Sequence, residues 1–226
     1  MVMEKIIKPI GIIENDFSEK FGLPRQALKA PSLISKITFL PEYAVDSAFR
    51  ALENFSHIWV LFDFSLADNT KFSPTVRPPR LGGNKRVGVF ASRSPFRPNG
   101  IGLSLVKLVK IERDSENKVS LIVSGADIVS GTPVYDIKPY VKHADCVIDA
   151  VSGYADEVVD YKIKVEFNGD LLSKIPEEKR LALVECLEND PRPSYQEDDR
   201  EYGMSYAGLN IKFKVSGNTL TVFDIE

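Results

Sequence analysis

The chain has 226 residues, of which 43% are hydrophobic and 27% charged, with a formal net charge of −3. That composition excludes a disordered or low-complexity protein and allows one large domain, or a domain with a smaller appendage. The net charge hides a division: residues 1–144 carry 20 Lys and Arg against 14 Asp and Glu, whereas residues 145–226 carry 9 against 18, so the first part is suited to polyanions.

In chain order, the isoleucine-rich "IIKPIGIIEND" predicts an opening β-strand. A loop with a basic centre at Arg25 follows in "FGLPRQALKAP". Ala48, Leu52 and Phe55 in "SAFRALENF" stand at helical spacing and predict a short helix. The aromatic and β-branched "HIWVLFDF" reads as a buried strand, and "LSLVKLVKIE" and "VSLIVSGADI" as two more, separated by a polar turn at residues 114–118. One helix among so many strands predicts a mainly antiparallel sheet closed into a barrel, since closure removes exposed edges.

Composition shifts near residues 145–160, which marks a linker. Beyond it "YKIKVEF" alternates, with Tyr161, Ile163, Val165 and Phe167 on one face. "PEEKRLALVECLEND" opens with Pro176 and two glutamates, as a helix N-terminus does, and places Leu181, Val184 and Leu187 on one side. "LNIKFKV" and "TLTVFDI", joined through Ser216-Gly217-Asn218, form a hairpin. The expected organisation is a barrel domain over residues 1–145, a linker over 146–158, and a small α+β domain over 159–226. A unit as small as the last should dock on the barrel or on a second subunit.

Cys146 and Cys186 form no Cys-x-x-Cys pair, and no signal peptide is visible, so a reduced, cytoplasmic setting is expected. Apolar runs such as residues 58–62 are too short for a membrane span. His57 and His143 have no ligand cluster near them in sequence, so no metal is expected.

The densest chemical signal is residues 69–111, which hold nine basic residues and no acid. There arginines alternate with Pro and Gly in "RPPRLGGNKRVGVFASRSPFRPNGIG". Prolines fix φ and glycines admit close backbone approach, so the run describes rigid loops offering guanidinium forks to phosphate or carboxylate. No Gly-x-Gly-x-x-Gly motif follows a strand and no Walker loop occurs, so a nucleotide would have to bind without those fingerprints.

"SEKFGLPRQ", "FSHIWVLFDF", "PTVRPPRLGGNKRVGVFASRSPFRPNGIGLS", "GADIVSGTPVYDIKPY" and "DPRPSY" occur in an order that closely resembles the TrmO/TsaA family, over nearly the whole chain. One position departs, with Gly100 where the family usually has proline. The resemblance implies a single-sheet β-barrel, S-adenosylmethionine as methyl donor, and a homodimer. It also implies methylation of N6 of threonylcarbamoyladenosine, next to the anticodon of threonine tRNA. A non-catalytic RNA-binding or S-adenosylmethionine-binding module is the alternative, and the arginine content fits both.

Site residues divide into three groups. The resemblance places Arg25, Gln26, Phe64, Ser65, Leu66, Leu103, Asp127, Ile128, Val129 and Ser130 at the donor, with the main chain of Ile128 and Val129 reading the adenine edge; Arg93 and Arg97, flanking a Pro turn with no acid near them in sequence, would anchor either the donor's carboxylate or RNA phosphate. Arg77, Arg80, Arg86 and Arg97 are candidates for RNA phosphate, joined by Arg192 and Tyr195, which would hold a phosphate and stack a loop base. Asp136, Lys138 and Tyr140 alternate along one extended face and form the candidate catalytic group, with Asp136 as base. Because Gln26, Arg93 and Asp127 all precede the linker, donor binding is expected of the barrel alone.

Overall fold

A computed structural model describes residues 4–67, 72–78, 85–158, 161–192 and 200–226. Six strands close into one antiparallel barrel: β1 (Gly11–Glu14), β2 (Ile34–Phe39), β3 (His57–Asp63), β6 (Ile101–Arg113), β7 (Val119–Ser124) and β8 (Thr132–Pro139). Around the barrel the order is β1-β2-β7-β6-β3-β8, and β8 pairs back onto β1. The intervening β4 (Thr75–Val76) and β5 (Val87–Gly88) form a separate two-stranded ladder in the arginine region. The antiparallel barrel read from the sequence is therefore present, with the turn after β6 closed by Asp114, whose carboxylate accepts the Glu116 and Lys118 amides at 2.9 Å each.

Alternation explains the closure. Inward positions carry Ile13, Ile37, Ile58, Val60, Phe62, Val106, Leu121, Val123 and Val134, all buried, while the intervening residues point out. Gly102 faces Phe62 across the β3–β6 pair, and a Cβ at this glycine would lie 2.3 Å from the ring. The glycine thus makes room for an aromatic ring that fills the barrel end.

The helix predicted around Ala48 is two 3₁₀ turns instead, Asp46–Phe49 and Leu52–Asn54. Ala51 between them has φ of 69°, which breaks the helical path, and the buried residue is Phe49 rather than Ala48.

The C-terminal part is a four-stranded sheet with order β10-β11-β12-β9 packed on one helix. Its strands are β9 (Lys164–Phe167), β10 (Glu201–Tyr206), β11 (Leu209–Ser216) and β12 (Thr219–Ile225). The β11–β12 hairpin turns at Gly217, whose φ is 56°, as the sequence predicts. β10 has no clear sequence signal: "EYGMSY" is short and half-polar, and only Met204 and Tyr206 mark its buried face. α1 (Lys142–Asp145) is a single turn, and α2 (Glu177–Glu188) begins directly after Pro176. The buried face of α2 is Ala182, Leu183, Cys186 and Leu187; of the predicted side, Leu187 is buried, Val184 half-buried and Leu181 exposed. Cys186 lies among apolar neighbours, and burial pushes its thiol well above the ordinary range.

The small unit docks on the barrel's own chain. Phe17, Ala30 and Leu33, from the connection between β1 and β2, are buried in the core built by α2 and the C-terminal sheet. The segment expected as a linker holds a 3₁₀ turn, Gly153–Val158, whose Tyr154 hydroxyl donates to the Ala91 carbonyl at 3.0 Å. It therefore lies against the arginine loops.

Candidate functional site

A cleft of about 1200 Å³ opens at the β3–β6 end of the barrel. Four segments far apart in sequence line it: the β1–β2 connection, the end of β3 with its Phe64–Leu66 corner, the arginine loops, and the segment between β7 and β8. Asn189 from the end of α2 and residues 152–156 complete the wall. Asn189, from the C-terminal unit, thus joins Gln26, Arg93 and Asp127 in the cleft wall.

Of the residues expected at the donor, Arg25, Gln26, Phe64, Ser65, Leu66, Arg93, Leu103, Asp127, Ile128 and Val129 line this cleft. Ser130 is not among the lining residues. Its amide donates to the Phe17 carbonyl at 2.9 Å, and its hydroxyl oxygen accepts the Asn15 amide at 3.1 Å. Asn15 is the hub of this corner, donating to the Ile128 carbonyl at 2.8 Å and accepting from the Phe17 amide at 2.9 Å. The Ile128 and Val129 carbonyls each accept one hydrogen bond from the protein, from Asn15 and from the Thr132 amide. Each carbonyl retains a second lone pair for a ligand.

Leu66 and Leu103 are more than half exposed, and Phe96 and Ile101 are exposed beside them, giving the cleft an apolar rim. Exposed apolar side chains gathered in a concave surface mark a ligand site rather than ordinary surface. Within it, Asp127 is partly buried and accepts a hydrogen bond from the Ser104 hydroxyl. Burial pushes the Asp127 carboxyl above the usual carboxylate range, against the lowering influence of Ser104 and the Arg93 charge. Ser104 escapes the sequence reading, although a signal exists. It sits at an inward position of β6 between Gly102 and Val106, and a buried hydroxyl in an apolar row needs a partner.

Arg77, Arg86 and Arg97 line the same cleft. Arg86 donates to the Thr75 hydroxyl at 2.9 Å, joining the two sides of the β4–β5 ladder. Arg97 donates to the carbonyls of Val89 at 3.2 Å and Ser92 at 2.7 Å, and its guanidinium lies 5.7 Å from the centre of the Phe90 ring. Its guanidinium therefore braces the loop that presents Arg93. Arg192 is almost buried and pairs with Asp190 at 3.0 Å. Arg80 and Tyr195 lie outside the described residues.

Asp136, Lys138 and Tyr140 do not line the cleft. Lys138 pairs with Asp136 at 2.8 Å on the outer face of β8, which raises the Lys138 pKa. Tyr140 packs against Trp59, with ring centroids 6.0 Å apart, and against His57 at 6.3 Å. Desolvation, then Cys146 and Asp145, raise the Tyr140 phenol above its ordinary value. Trp59, which the sequence does not single out, links this group to the cleft. It lines the cleft, faces Lys138 in the β3–β8 register, and donates its indole N–H to Asp145 at 3.3 Å.

Models of the tRNA-methyltransferase O N-terminal domain and of the TrmO C-terminal domain match residues 12–146 and 160–226. The chain belongs to the tRNA-methyltransferase O family. It is 39% identical over 227 residues to tRNA (adenine(37)-N6)-methyltransferase of Escherichia coli strain K12, with 96% of each chain covered. It is 43% identical over 218 residues to a protein of Pseudomonas aeruginosa named putative S-adenosylmethionine-dependent methyltransferase RcsF, with 92% of each covered. The crystal structure of TrmO from P. aeruginosa matches 100% of this chain and 98% of its own, at 35% identity and a TM-score of 0.82. The TrmO family resemblance read from the motifs is therefore correct, and its two domain models leave only the region after residue 146 and before residue 160 between them.

Proposed function

We propose that this protein is an S-adenosylmethionine-dependent tRNA methyltransferase that methylates N6 of adenosine 37, acting on the threonylcarbamoylated base of threonine tRNA as a cytoplasmic homodimer. The observation that carries the reading is convergence. Ten of the residues expected at the donor, drawn from five separate segments, line one cleft together with three of the arginines expected at RNA. The names of relatives that align over almost the whole chain support the same reaction.

The chemistry of the cleft fits the donor. Leu66 and Leu103 offer apolar surface to a purine, the Ile128 and Val129 carbonyls would face its edge, Asp127 and Gln26 offer polar anchors to a ribose, and Arg25 and Arg93 offer cations to an amino-acid carboxylate. Once bound, the donor supplies an electrophilic methyl group on a sulfonium. The protein's part is chiefly alignment of the accepting nitrogen with that methyl, an effect able to lower a barrier by about 7–11 kcal/mol.

The accepting nitrogen of threonylcarbamoyladenosine is a poor nucleophile, because its lone pair is drawn into the purine and the carbonyl. Removing its proton during attack restores nucleophilicity. Asp136 is the proposed base, with Lys138 holding its carboxylate and Tyr140 ordering the approach beside Trp59. Asp136 and Lys138 lie on the outer face that continues from Trp59, so a base stacked at Trp59 would bring its N6 toward them. The modification's own carboxylate would meet the arginine loops.

The test is transfer of a labelled methyl group from S-adenosylmethionine to tRNA by the purified protein, with donor binding followed separately by calorimetry. Donor binding without transfer to any tRNA would reduce the protein to a binding module.

A further inference from the structure

The β1–β2 connection, residues 15–33, has no regular secondary structure yet carries Leu23, Pro24, Arg25, Gln26 and Lys29 into the cleft. A long irregular loop holds a defined shape only if something outside it fixes its backbone. Here part of the fixing comes from the C-terminal unit. Both the amide and the hydroxyl of Ser32 donate to the Glu185 carboxylate, at 2.8 and 3.0 Å. Asn189 donates its side-chain amide to the Lys29 carbonyl at 2.9 Å and to the Glu185 carbonyl at 2.7 Å. Lys179 pairs with Asp16 at 2.6 Å, the Ala207 amide donates to the Asp16 carbonyl at 2.9 Å, and Arg25 donates to the Arg192 carbonyl at 2.5 Å.

These contacts bracket Arg25 and Gln26 on both sides. The barrel holds the loop as well: the Leu28 amide donates to the Gly125 carbonyl at 2.8 Å, the Gly125 amide to the Leu33 carbonyl at 2.9 Å, the Ala27 amide bonds the Asp127 carboxylate, and the Asn15 hub holds the start of the loop. Leu28 itself has φ of 64°, a left-handed conformation unfavourable for leucine that persists only when its neighbours are held. Ala30 and Leu33, just beyond it, are buried in the core of the C-terminal unit.

We infer that Glu185 and Asn189 on α2 are positioning residues for the methyl donor: through Ser32 and Lys29 they set the backbone of the loop that presents Arg25 and Gln26. The C-terminal unit then governs donor affinity as well as whatever contact it makes with RNA. The inference rests on the proposed function, in that the cleft receives S-adenosylmethionine. Neither residue takes part in the chemical step; both act by keeping the donor side of the cleft in its bound geometry before the donor arrives.

The experiment uses the full chain with Glu185→Ala, Asn189→Ala and, as control, Lys164→Ala, which removes an ion pair to Glu166 (2.7 Å) on the exposed face of β9. Calorimetry with S-adenosylmethionine gives Kd, and steady-state methylation gives KM for donor and for tRNA with kcat. Loss of hydrogen bonds to a charged or buried group predicts a rise of roughly 5–30-fold in donor Kd and donor KM for the two loop variants. For Glu185→Ala the tRNA KM and kcat at saturating donor should stay near the parent values, and Lys164→Ala should match the parent throughout. Glu185→Gln, which keeps one acceptor for Ser32, should recover part of the affinity. If a variant fails to fold, Ser32→Ala gives the same comparison by deleting one hydroxyl. Parent-like donor affinity in folded variants overturns the inference alone; a parent protein that binds no S-adenosylmethionine overturns the proposed function as well.

Discussion

The Ser104 hydroxyl on β6 donates to the Asp127 carboxylate beyond the end of β7, and the pair forms part of the cleft wall. Because burial raises the Asp127 pKa, the folded state holds this proton more tightly than the unfolded chain. The contribution to stability is fully present below the unfolded carboxyl value, about 3.9, and is lost as pH rises through the raised folded value. Asp127→Asn abolishes that loss. The melting temperature of the variant relative to the parent should therefore climb from about pH 4 to about pH 8, measured by scanning calorimetry. A constant difference across that range would mean that Asp127 titrates normally.

Gly102 should tolerate no side chain. A Cβ there meets the Phe62 ring at 2.3 Å, inside a closed barrel where the neighbouring strands cannot separate freely. Gly102→Ala is expected to cost about 1–3 kcal/mol in urea unfolding, as overpacked cores do. The double variant with Phe62→Leu should recover part of that stability, which ties the penalty to this pair of residues.

Much of this architecture is legible in the sequence because it depends on local alternation. The β3 run from His57 to Asp63 and the β11–β12 hairpin at Gly217 follow from periodicity and turn chemistry. The exceptions have physical causes. Ala51 leaves the helical region although alanine is a strong helix former, since the chain must turn there to bury Phe49 and lead into β3. β10 carries few apolar residues and gains its place from pairing with β11. At the site, residue types with obvious charge stand out in the sequence, whereas Ser104, Trp59 and Asn189 do not. Each acts through a partner distant in sequence, and single-chain patterns carry no record of such pairs.

Arg77 and Arg86 are exposed, whereas the Arg97 guanidinium is engaged by the Val89 and Ser92 carbonyls. Arg77→Gln and Arg86→Gln should weaken tRNA binding and reduce the slope of log affinity against log salt by about 0.7 for each phosphate that is no longer neutralised. Donor affinity should hold. Arg97→Gln should instead disorder the presentation of Arg93 and weaken donor binding. Filter binding at several salt concentrations separates the two behaviours.

Asp136→Asn tests the proposed base. Without the proton acceptor, single-turnover methylation should slow by about 10²–10⁴ while donor and tRNA affinity stay near the parent values. If Asp136 serves only as the partner of Lys138 at 2.8 Å, the rate falls modestly and thermal stability falls with it. A near-normal rate would leave alignment by the cleft as the source of catalysis.

Transfer of a methyl group to N6 of adenosine 37 in tRNA is the reaction proposed for the cleft. Nucleoside mass spectrometry of threonine tRNA, isolated from cells with and without this gene and digested to single nucleosides, tests it most directly. N6-methylated threonylcarbamoyladenosine should be present in the first sample, and the unmethylated form should replace it in the second. Identical nucleoside profiles in the two samples, or disappearance of a methyl group at some other position, would contradict the claim.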